Sequence, residues 1–303
     1  MGPAPARPVI RGLGSDRIAI TEDGIQTTDL SATSPDHAVS VEPFTIDRIE
    51  VIRGPKVLLK NPTTMGGVVN IIRDEIPKEV PGSFSGNAGF YGESVNSGYL
   101  GGIVAQLPIG KFVLRGEATK RRADDLRTPI GTLENSDIAT DNFSAGLSYI
   151  DGWGYTGVSI REFKSDYGVP GGFVGAHPNG VDISMLKRQI NGKINYQINS
   201  ESFENLEFQL SRDYYKHTEY ERADIIGAQF VIYNLRGSLD LSNKKIGLLD
   251  FGTSGISFEA RDFNIGGYVF TPPTKSLKLS GYSFQTFELT DFSFETGFRT
   301  SYD

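Results

Sequence analysis

The fold of this chain is decided by residues 45–74, which read TIDRIEVIRGPKVLLKNPTTMGGVVNIIRD. Residues 49–52 form a short run of mostly β-branched side chains, and the Gly-Pro pair at 54–55 ends it. The glycine pair at 66–67 permits backbone angles that are closed to other residues, and residues 68–72 then resume a β pattern. The stretch therefore predicts two short strands joined by a glycine-rich connection.

This stretch resembles the plug of TonB-dependent outer-membrane receptors, a domain that lies inside a transmembrane β-barrel. Upstream, PVIRGL at 8–13 is similar to the PxIRG element of the plug, and RIAITEDG at 17–24 is similar to the strand and turn that follow it. The likeness covers about residues 7–75, and it departs from the family at Lys60 and Asn61, where an aromatic residue and a glycine are usual. The residues that carry it are Arg11, Gly12, Arg48, Glu50, Arg53, Gly54, Pro55, Gly66, Gly67 and Asn70.

The composition permits a membrane barrel without requiring one. The hydrophobic fraction is only 38%, and no apolar run reaches the roughly 18 residues of a transmembrane helix. Barrel strands need no such run, because they expose lipid-facing residues only at every second position. The 36 Gly, 13 Tyr and 19 Phe fit that class. A net charge of −7 without a basic stripe argues against a nucleic-acid partner.

From about residue 80 onward, apolar and polar side chains alternate with the period of a β-strand, for example in residues 190–198 and 292–302. A soluble β-sandwich gives the same alternation, so the connections decide between the two. Short turns are expected near residues 107–110, 151–153, 198–201, 242–245 and 290–291, and longer polar connections at 122–141, 166–185, 218–227 and 264–275. Alternating short and long connections are typical of an up-and-down barrel with tight periplasmic turns.

The predicted fold class is mainly β, with a partial N-terminal α+β plug domain at residues 1–77 and antiparallel transmembrane β-barrel strands at residues 78–303. Counting gives about eleven strands, half of the roughly 22 that a plugged transporter barrel carries. No secretory signal is visible in MGPAPARPVIRG, and the chain does not close on the terminal aromatic residue that is usual in the family. We therefore expect a fragment of a receptor whose complete form carries a signal peptide and a TonB box.

The first candidate metal ligands are Asp36 and His37, in the element SPDH. A plug with SPDH is similar to that of the zinc-uptake branch of these receptors, and the resemblance implies that Asp36 and His37 help to bind zinc at the outer surface of the plug. Carboxylate and imidazole are suitable Zn²⁺ ligands. Alternatively, Asp36 caps a turn after Pro35 and His37 is an ordinary surface residue.

The second candidate set is His217 with Glu219 and Glu221, near the outer end of a predicted strand. At period-2 spacing all three face the same side, so a lumen-facing trio can complete a metal site begun by the plug. A wet, charged loop base explains them equally. His177 lies in a segment similar to a loop in which zinc receptors carry many histidines, but here only His177 and Asp182 are present. We interpret His177 as a solvated loop residue.

The resemblance implies an active transporter of the bacterial outer membrane, energised by the inner-membrane TonB complex. Its partners would be outer-membrane lipid and a metal ion or metal chelate. We expect no tightly bound cofactor, and zinc as the transported ligand, held by Asp36 and His37 with help from His217 or a nearby glutamate. Acidic residues in the loop after residue 120 would draw cations toward the mouth. These are Asp124, Asp125, Glu134, Asp137 and Asp141.

An enzyme is not predicted, because the chain has no cysteine, no G-x-S-x-G element and no phosphate-binding P-loop. Two other functions stay open. The same architecture can carry a ferric siderophore or another metal chelate, which the scarcity of histidine favours. A protein of a different class, a non-transporting surface-binding β protein such as an adhesin or carbohydrate-binding module, explains the alternation but not the plug motifs.

Overall fold

The structure, a computed structural model, describes residues 4, 6–60, 66–172, 177–222, 225–268, 271–289 and 292–303. Its strands are β1 (Ile18–Glu22), β2 (Ile25–Gln26), β3 (Arg48–Ile52), β4 (Gly67–Ile72), β5 (Ser85–Glu93), β6 (Gly98–Ile109), β7 (Phe112–Ala123), β8 (Leu126–Thr128), β9 (Gly131–Leu133), β10 (Ile138–Asp151), β11 (Gly154–Val169), β12 (Val181–Gln197), β13 (Phe203–Arg222), β14 (Ile225–Asn243), β15 (Leu249–Gly267), β16 (Thr271–Leu289) and β17 (Phe292–Tyr302).

These strands form two main sheets. Four strands make a small sheet in the order β2-β1-β4-β3, and eleven make a large antiparallel sheet from β5 to β17, in which β10 follows β7 because β8 and β9 form a separate hairpin. We call the small sheet with its flanking segments, residues 6–77, the plug, and the large sheet the wall. The prediction of a mainly β chain with about eleven barrel strands is confirmed. The domain boundary between residues 77 and 78 falls between β4 and β5, and it stays a prediction.

The helical part of the plug differs from the α+β expectation. The described residues of the plug contain two 3₁₀ helices, Ser15–Arg17 and Gly54–Leu59, and no α-helix. The second begins with the Gly54-Pro55 pair and is only six residues long, less than two α-helical turns. Lys60 closes this helix, and Asn61, where a different turn was expected, lies outside the described residues.

The three plug glycines serve different purposes. Gly54 and Gly67 have φ angles of 73° and 133°, in the region that favours glycine. Gly66 is not at positive φ, but a Cβ there would lie 2.9 Å from the carbonyl oxygen of Arg17. Its lack of a side chain lets β4 approach the segment that leads into β1. Of the glycine pair, Gly67 is therefore needed for its backbone conformation, as predicted, and Gly66 for the space that a side chain would fill.

Asn70 joins three strands of the plug. Its Oδ1 accepts hydrogen bonds from Thr21 Oγ1 at 2.7 Å and from the backbone N–H of Gly24 at 3.0 Å, and its Nδ2 donates to Glu50 Oε2 at 3.0 Å. Glu50 also accepts from Arg48 Nε at 3.0 Å. Since Asn70 is buried, these bonds satisfy an amide that would otherwise cost free energy. Several residues of the plug motif thus hold its sheet together.

The two faces of the wall carry different side chains, as the alternation predicts. On β12, Ile190, Ile194 and Tyr196 are exposed on the outer face, whereas Lys187 and Gln189 are buried on the inner face. An apolar exposed face is costly in water and suits contact with lipid. Strands β10 to β16 have 14 to 20 residues, more than the roughly 9–11 that cross a membrane.

Because the strands are longer than expected, some of the predicted loops are in fact strand. The expected short turns near 107–110, 151–153, 198–201 and 242–245 are found between paired strands, whereas the one at 290–291 lies outside the described residues. The polar stretches 218–227 and 264–275 were expected to be long loops, but strand continues through most of both. Polar side chains in these two stretches belong to strand that extends beyond the lipid-facing part of the wall. A strand that is surrounded by water does not need apolar side chains on either face.

The plug packs against the inner face of the wall. Leu30 and Ala38 of the plug share a buried cluster with wall residues that include Phe163, Met185 and Tyr215. Among the described residues, no helix has the length and apolar character needed to cross a membrane.

Candidate functional site

The inner face of β13 brings four chemically active side chains into one row. Asp213, Tyr215, His217 and Glu219 alternate along the strand, and the first three are almost fully buried, with exposed fractions of 1%, 0% and 0%. They are covered by the plug segment between β2 and β3, which contains His37. Tertiary packing therefore brings a plug histidine against a wall strand 180 residues later in the sequence.

His37, His217 and Glu219 form a compact cluster, and their potential ligand atoms all lie within 4.8 Å of one another. Nε2 of His37 is 3.0 Å from Glu219 Oε1, and Nε2 of His217 is 3.3 Å from the same oxygen. The imidazole ring centroids are 4.4 Å apart, at an interplanar angle of 55°. Two ring nitrogens thus converge on one carboxylate oxygen. We call these three residues the histidine cluster.

Neighbouring groups hold the other nitrogen of each ring. Nδ1 of His37 lies 3.2 Å from the carbonyl oxygen of Leu30 and 3.0 Å from Thr33 Oγ1. Nδ1 of His217 lies 3.1 Å from the Tyr215 hydroxyl. When Nδ1 of a neutral His37 donates to Leu30, its Nε2 has a lone pair directed at a carboxylate. That arrangement is favourable only with a proton or a metal cation between the two groups, and such outer hydrogen bonds are typical of metal-binding histidines.

Without a bound ion, a proton on His37 can take the place of the cation beside Glu219. Burial acts to lower the pKa of His37, but the hydrogen bond to Glu219 and the negative charges of Asp36 and Glu219 outweigh it, so the pKa is raised above its ordinary value. The buried Nε2 of His217 has no hydrogen-bond partner of good geometry among the described residues, despite its 3.3 Å distance to Glu219. The cluster therefore has electrostatic capacity for a cation that its own hydrogen bonds do not use.

Two of the five predicted metal ligands lie outside this cluster. Asp36 is exposed, its carboxylate accepts a hydrogen bond from Ser34 Oγ, and only its backbone oxygen faces the wall, where it accepts from Tyr167 at 2.9 Å. Glu221 lies 2.7 Å from Nδ1 of His177. Register shifts between Glu219 and Arg222 break the strict alternation of β13. Glu221 therefore lies beyond the regular part of the strand and does not join His217 and Glu219 in the cluster.

Sequence reasoning missed the residues that position the imidazoles. Tyr215 was available as a signal, because it precedes His217 by two residues on the same face of the strand. Thr33 and Leu30 gave no such signal, since their role depends on how the plug segment folds back. Phe230, whose ring centroid is 5.7 Å from that of His217, belongs to the next strand, and nothing in the sequence indicated that it would lie beside His217.

A second contact between plug and wall is built from buried charges. Arg73, directly after β4, has its Nε 3.2 Å from Glu22 Oε2 and its Nη1 3.3 Å from Glu117 Oε1. Lys187 of the wall lies 2.8 Å from the other oxygen of Glu22. Arg161 of the wall binds Glu75 and lies 3.4 Å from Glu117 Oε1. We call these six residues the charge network.

The charge network is electrostatically complementary. Burial alone would raise the pKa of Glu22, but the positive charges of Lys187, Arg161 and Arg73 lower it to about 2. Thr45 Oγ1 adds a further hydrogen bond to Glu117, at 2.6 Å. Every carboxylate of the network therefore has cationic partners, as buried charges require.

The predicted acidic mouth is only partly free to attract cations. Asp141 pairs with Arg122 at 2.6 Å, and Asp125 accepts a backbone hydrogen bond from Ser136 at 2.7 Å. Burial and the nearby charge of Asp125 raise the pKa of Asp137, which indicates mutual repulsion between carboxylates in this loop. The attraction of cations to the mouth stays a prediction.

Comparisons with known proteins agree on the family. Residues 1–68 match the model of the TonB-dependent Receptor Plug Domain. The copper transporter OprC is similar to 99% of this chain with a TM-score of 0.80 at 15% identity, and the match covers 48% of OprC. The siderophore receptor PirA from Pseudomonas aeruginosa is similar to 97% of the chain (TM-score 0.73, 19% identity, 49% of PirA). The FrpB iron transporter from Neisseria meningitidis, F3-3 variant, is similar to 96% (TM-score 0.76, 11% identity, 51% of FrpB).

These matches confirm the predicted family and fold, and they do not distinguish the zinc branch. The printed names of the three structures refer to copper, a siderophore and iron. At such low identity the likeness establishes a common fold, and the chain spans about half the length of each structure. Residues 1–68 therefore carry the plug domain of TonB-dependent receptors, and the chain as a whole has the fold of these three structures.

Proposed function

We propose that this chain is the plug and about half of the barrel of a transporter for metal uptake, energised by the TonB complex, and that zinc is its cargo. The observation that carries the proposal is the histidine cluster, in which His37 of the plug and His217 and Glu219 of the wall converge within 4.8 Å. Two imidazoles and one carboxylate are a donor set typical of zinc, with a fourth position left for water.

The division of the cluster between plug and wall suggests how uptake would proceed. A cation bound there is held by one ligand from the plug and two from the wall. Movement of the plug under the action of the TonB complex would withdraw His37 and leave two ligands, which lowers affinity and releases the ion toward the periplasm. Asp36, which is exposed beside His37, would act as an entry group and not as a ligand in the closed arrangement.

Isothermal titration of zinc into the purified, metal-stripped protein tests the cargo. We expect His37→Ala and Glu219→Gln each to weaken zinc binding by at least about tenfold, since each removes one of three ligands. His177→Ala is the matched control, because that histidine pairs with Glu221 and not with the histidine cluster. Unchanged zinc affinity in both cluster variants would remove zinc from this site. Titration with Cu²⁺ and Ni²⁺ ranks the alternative cations, for which Cu²⁺ is the natural competitor.

The second candidate cargo is a ferric siderophore or another metal chelate. It is favoured by a polar cavity beside the histidine cluster, whose lining includes Arg236, Arg261 and Arg299. Growth of a receptor-deficient strain that expresses the complete protein separates the two cargoes: zinc limitation would be rescued in the first case, and iron limitation by a chelate in the second. The non-transporting surface-binding alternative gives no reason for a plug, and it predicts extraction into water without detergent.

A further inference from the structure

One carboxylate closes the plug segment that carries His37. Oδ1 of Asp29 accepts hydrogen bonds from the backbone N–H of Ser31 at 3.1 Å and from its hydroxyl at 2.5 Å. Oδ2 accepts from the backbone N–H of Ser40 at 3.2 Å and from its hydroxyl at 3.0 Å. Ser31 and Ser40 are both buried, so residues 29–40 form a closed loop with the Asp29 side chain at its base. We call these residues the Asp29 loop.

His37 lies in this loop and is oriented by it. The carbonyl oxygen of Leu30 lies 3.2 Å from Nδ1 of His37, and it also accepts a hydrogen bond from the Thr33 hydroxyl at 2.7 Å. Leu30 directly follows Asp29 in the chain, so the place of this carbonyl depends on the closed base of the loop. The direction of Nε2, which lies 3.0 Å from Glu219, therefore depends on the base as well.

The wall holds the Asp29 loop near both of its ends. Just before the base, Thr28 donates from Oγ1 to Asp213 Oδ2 at 2.9 Å and accepts from Arg236 Nη1 at 2.8 Å. Near the other end, the backbone N–H of Ala38 donates to the Tyr167 hydroxyl at 2.9 Å. These contacts place the loop on the wall, and the carboxylate at its base joins its two ends.

The base of the loop requires a carboxylate, because every group that faces it is a donor. Arg7 Nη1 donates to Ser31 Oγ at 2.7 Å, so the one hydroxyl hydrogen of Ser31 is directed at Asp29. Both oxygens of a carboxylate accept hydrogen bonds, whereas a carboxamide has an NH₂ group in place of one oxygen, and that group only donates. Asp29→Asn would therefore leave one end of the loop without its acceptor, while it keeps the size of the side chain.

We propose that Asp29 is a positioning residue of the histidine cluster, which keeps His37 against Glu219 by holding the Asp29 loop closed. Asp29 is not a member of the cluster and acts on it through the loop. The inference rests on the proposed cation binding, for which it names the group that presents the plug ligand. If the loop were open, a bound cation would have to order it, and the entropy of ordering would lower the affinity. His217 and Glu219 need no such support, because they lie on a strand that is paired on both sides.

The first test is isothermal titration of zinc into the purified, metal-stripped protein in neutral detergent. We expect Asp29→Asn to weaken zinc binding about tenfold, because it removes a group that orients a ligand. Asp23→Asn is the matched control. Asp23 also accepts backbone hydrogen bonds within the plug, from Arg73 at 2.9 Å, Asp74 at 3.0 Å and Glu75 at 3.3 Å. These bonds lie outside the Asp29 loop, so we expect Asp23→Asn to bind zinc like the parent.

A double-substitution cycle shows whether Asp29 acts through His37. In the His37→Ala background the plug ligand is already absent, so we expect Asp29→Asn to cause no further weakening of zinc binding there. A merely structural role would weaken binding in both backgrounds. The proposal is overturned by an equal loss in the His37→Ala background, by an equal loss in Asp23→Asn, or by an unchanged affinity in Asp29→Asn.

Hydrogen exchange in the metal-free protein separates this proposal from that of the zinc cargo. We expect Asp29→Asn to exchange the backbone amides of residues 30–40 about tenfold faster than the parent, with residues 73–75 unchanged, and Asp23→Asn to do the reverse. If the parent binds no zinc, the proposed cargo fails, and the exchange rates alone then decide on Asp29. Parent-like exchange at residues 30–40 in Asp29→Asn, or faster exchange throughout the plug in both variants, overturns the proposal.

Discussion

Two of the contacts between the plug and the wall have opposite character. In the charge network, Arg73 and Glu22 face Glu117 and Lys187, and every charge has a partner of the other sign. In the histidine cluster, two imidazole nitrogens face a single carboxylate oxygen, and Nε2 of His217 has no well-formed hydrogen bond among the described residues. The charges of the first contact are balanced by its own residues, whereas the second is the site at which we propose that a cation binds.

This difference suggests that the charge network contributes to stability and that the histidine cluster contributes to ligand binding. A buried network of paired charges is costly to break by removing one partner, because the remaining charge is then uncompensated. The histidine cluster, by the proposal above, contributes to cation binding more than to stability. We therefore expect substitutions in the charge network to affect stability, and substitutions in the histidine cluster to affect binding.

The largest effect is expected for Arg73→Gln. It leaves Glu22 and Glu117 with fewer cationic partners inside the protein, so we expect the free energy of unfolding to fall by about 3–5 kcal/mol. Arg48→Gln, which removes a plug arginine that is 57% exposed, is the matched control, and we expect it to change stability by less than about 1 kcal/mol. Guanidinium unfolding in detergent measures both. Equal losses would mean that the charge network does not hold the plug.

Acidification tests the same network without removing its arginine. The folded-state pKa of Glu22 is about 2, below its ordinary value of 4.5, because three cations outweigh burial. Its contribution is therefore fully present above the ordinary value and is lost as the pH falls toward about 2. We expect Glu22→Gln to flatten the fall in stability below pH 4.5, compared with Glu79→Gln, a change at an exposed carboxylate. Identical acid profiles for the two variants would contradict this assignment.

A smaller and more specific effect is expected for Tyr215→Phe. The change removes the hydroxyl 3.1 Å from Nδ1 of His217 while it keeps the buried ring. Since an outer hydrogen bond orients the ligand, we expect about tenfold weaker zinc binding with little change in stability. Tyr155→Phe is the control, because Tyr155 is also buried on the wall but lies outside the histidine cluster. If both variants bind zinc like the parent, the Tyr215 hydroxyl does not position His217.

Much of the fold was predictable because its signals are local. The glycines at 54, 66 and 67 permit backbone angles or close approaches that other residues do not, and period-2 alternation assigns each strand residue to one face. Loop lengths were less predictable, because a polar stretch such as 218–227 reads as a loop although pairing with a neighbouring strand keeps it extended. Outside the lipid-facing part of the wall, a paired strand and a loop can both be polar, so side-chain polarity does not distinguish them.

The candidate site was predictable in its residue types and not in its membership. His37, His217 and Glu219 were named from motif and spacing, but so were Asp36 and Glu221, which the cluster excludes. Asp36 is adjacent to His37 in sequence, yet its side chain is exposed where that of His37 is buried. Sequence proximity could not separate these neighbours, because their directions are set by how the plug segment packs on the wall.

The sequence by itself determined that this protein has a plug, a wall of about eleven alternating strands and a few side chains of types that can bind a metal, because the glycine positions and the alternation of apolar and polar residues are local to each residue. Only the tertiary structure decided which side chains meet. His37 contacts Glu219 across 182 positions of sequence, and Arg73 contacts Glu117 across 44. Such pairs depend on the placement of one sheet against another, and no local pattern encodes that placement.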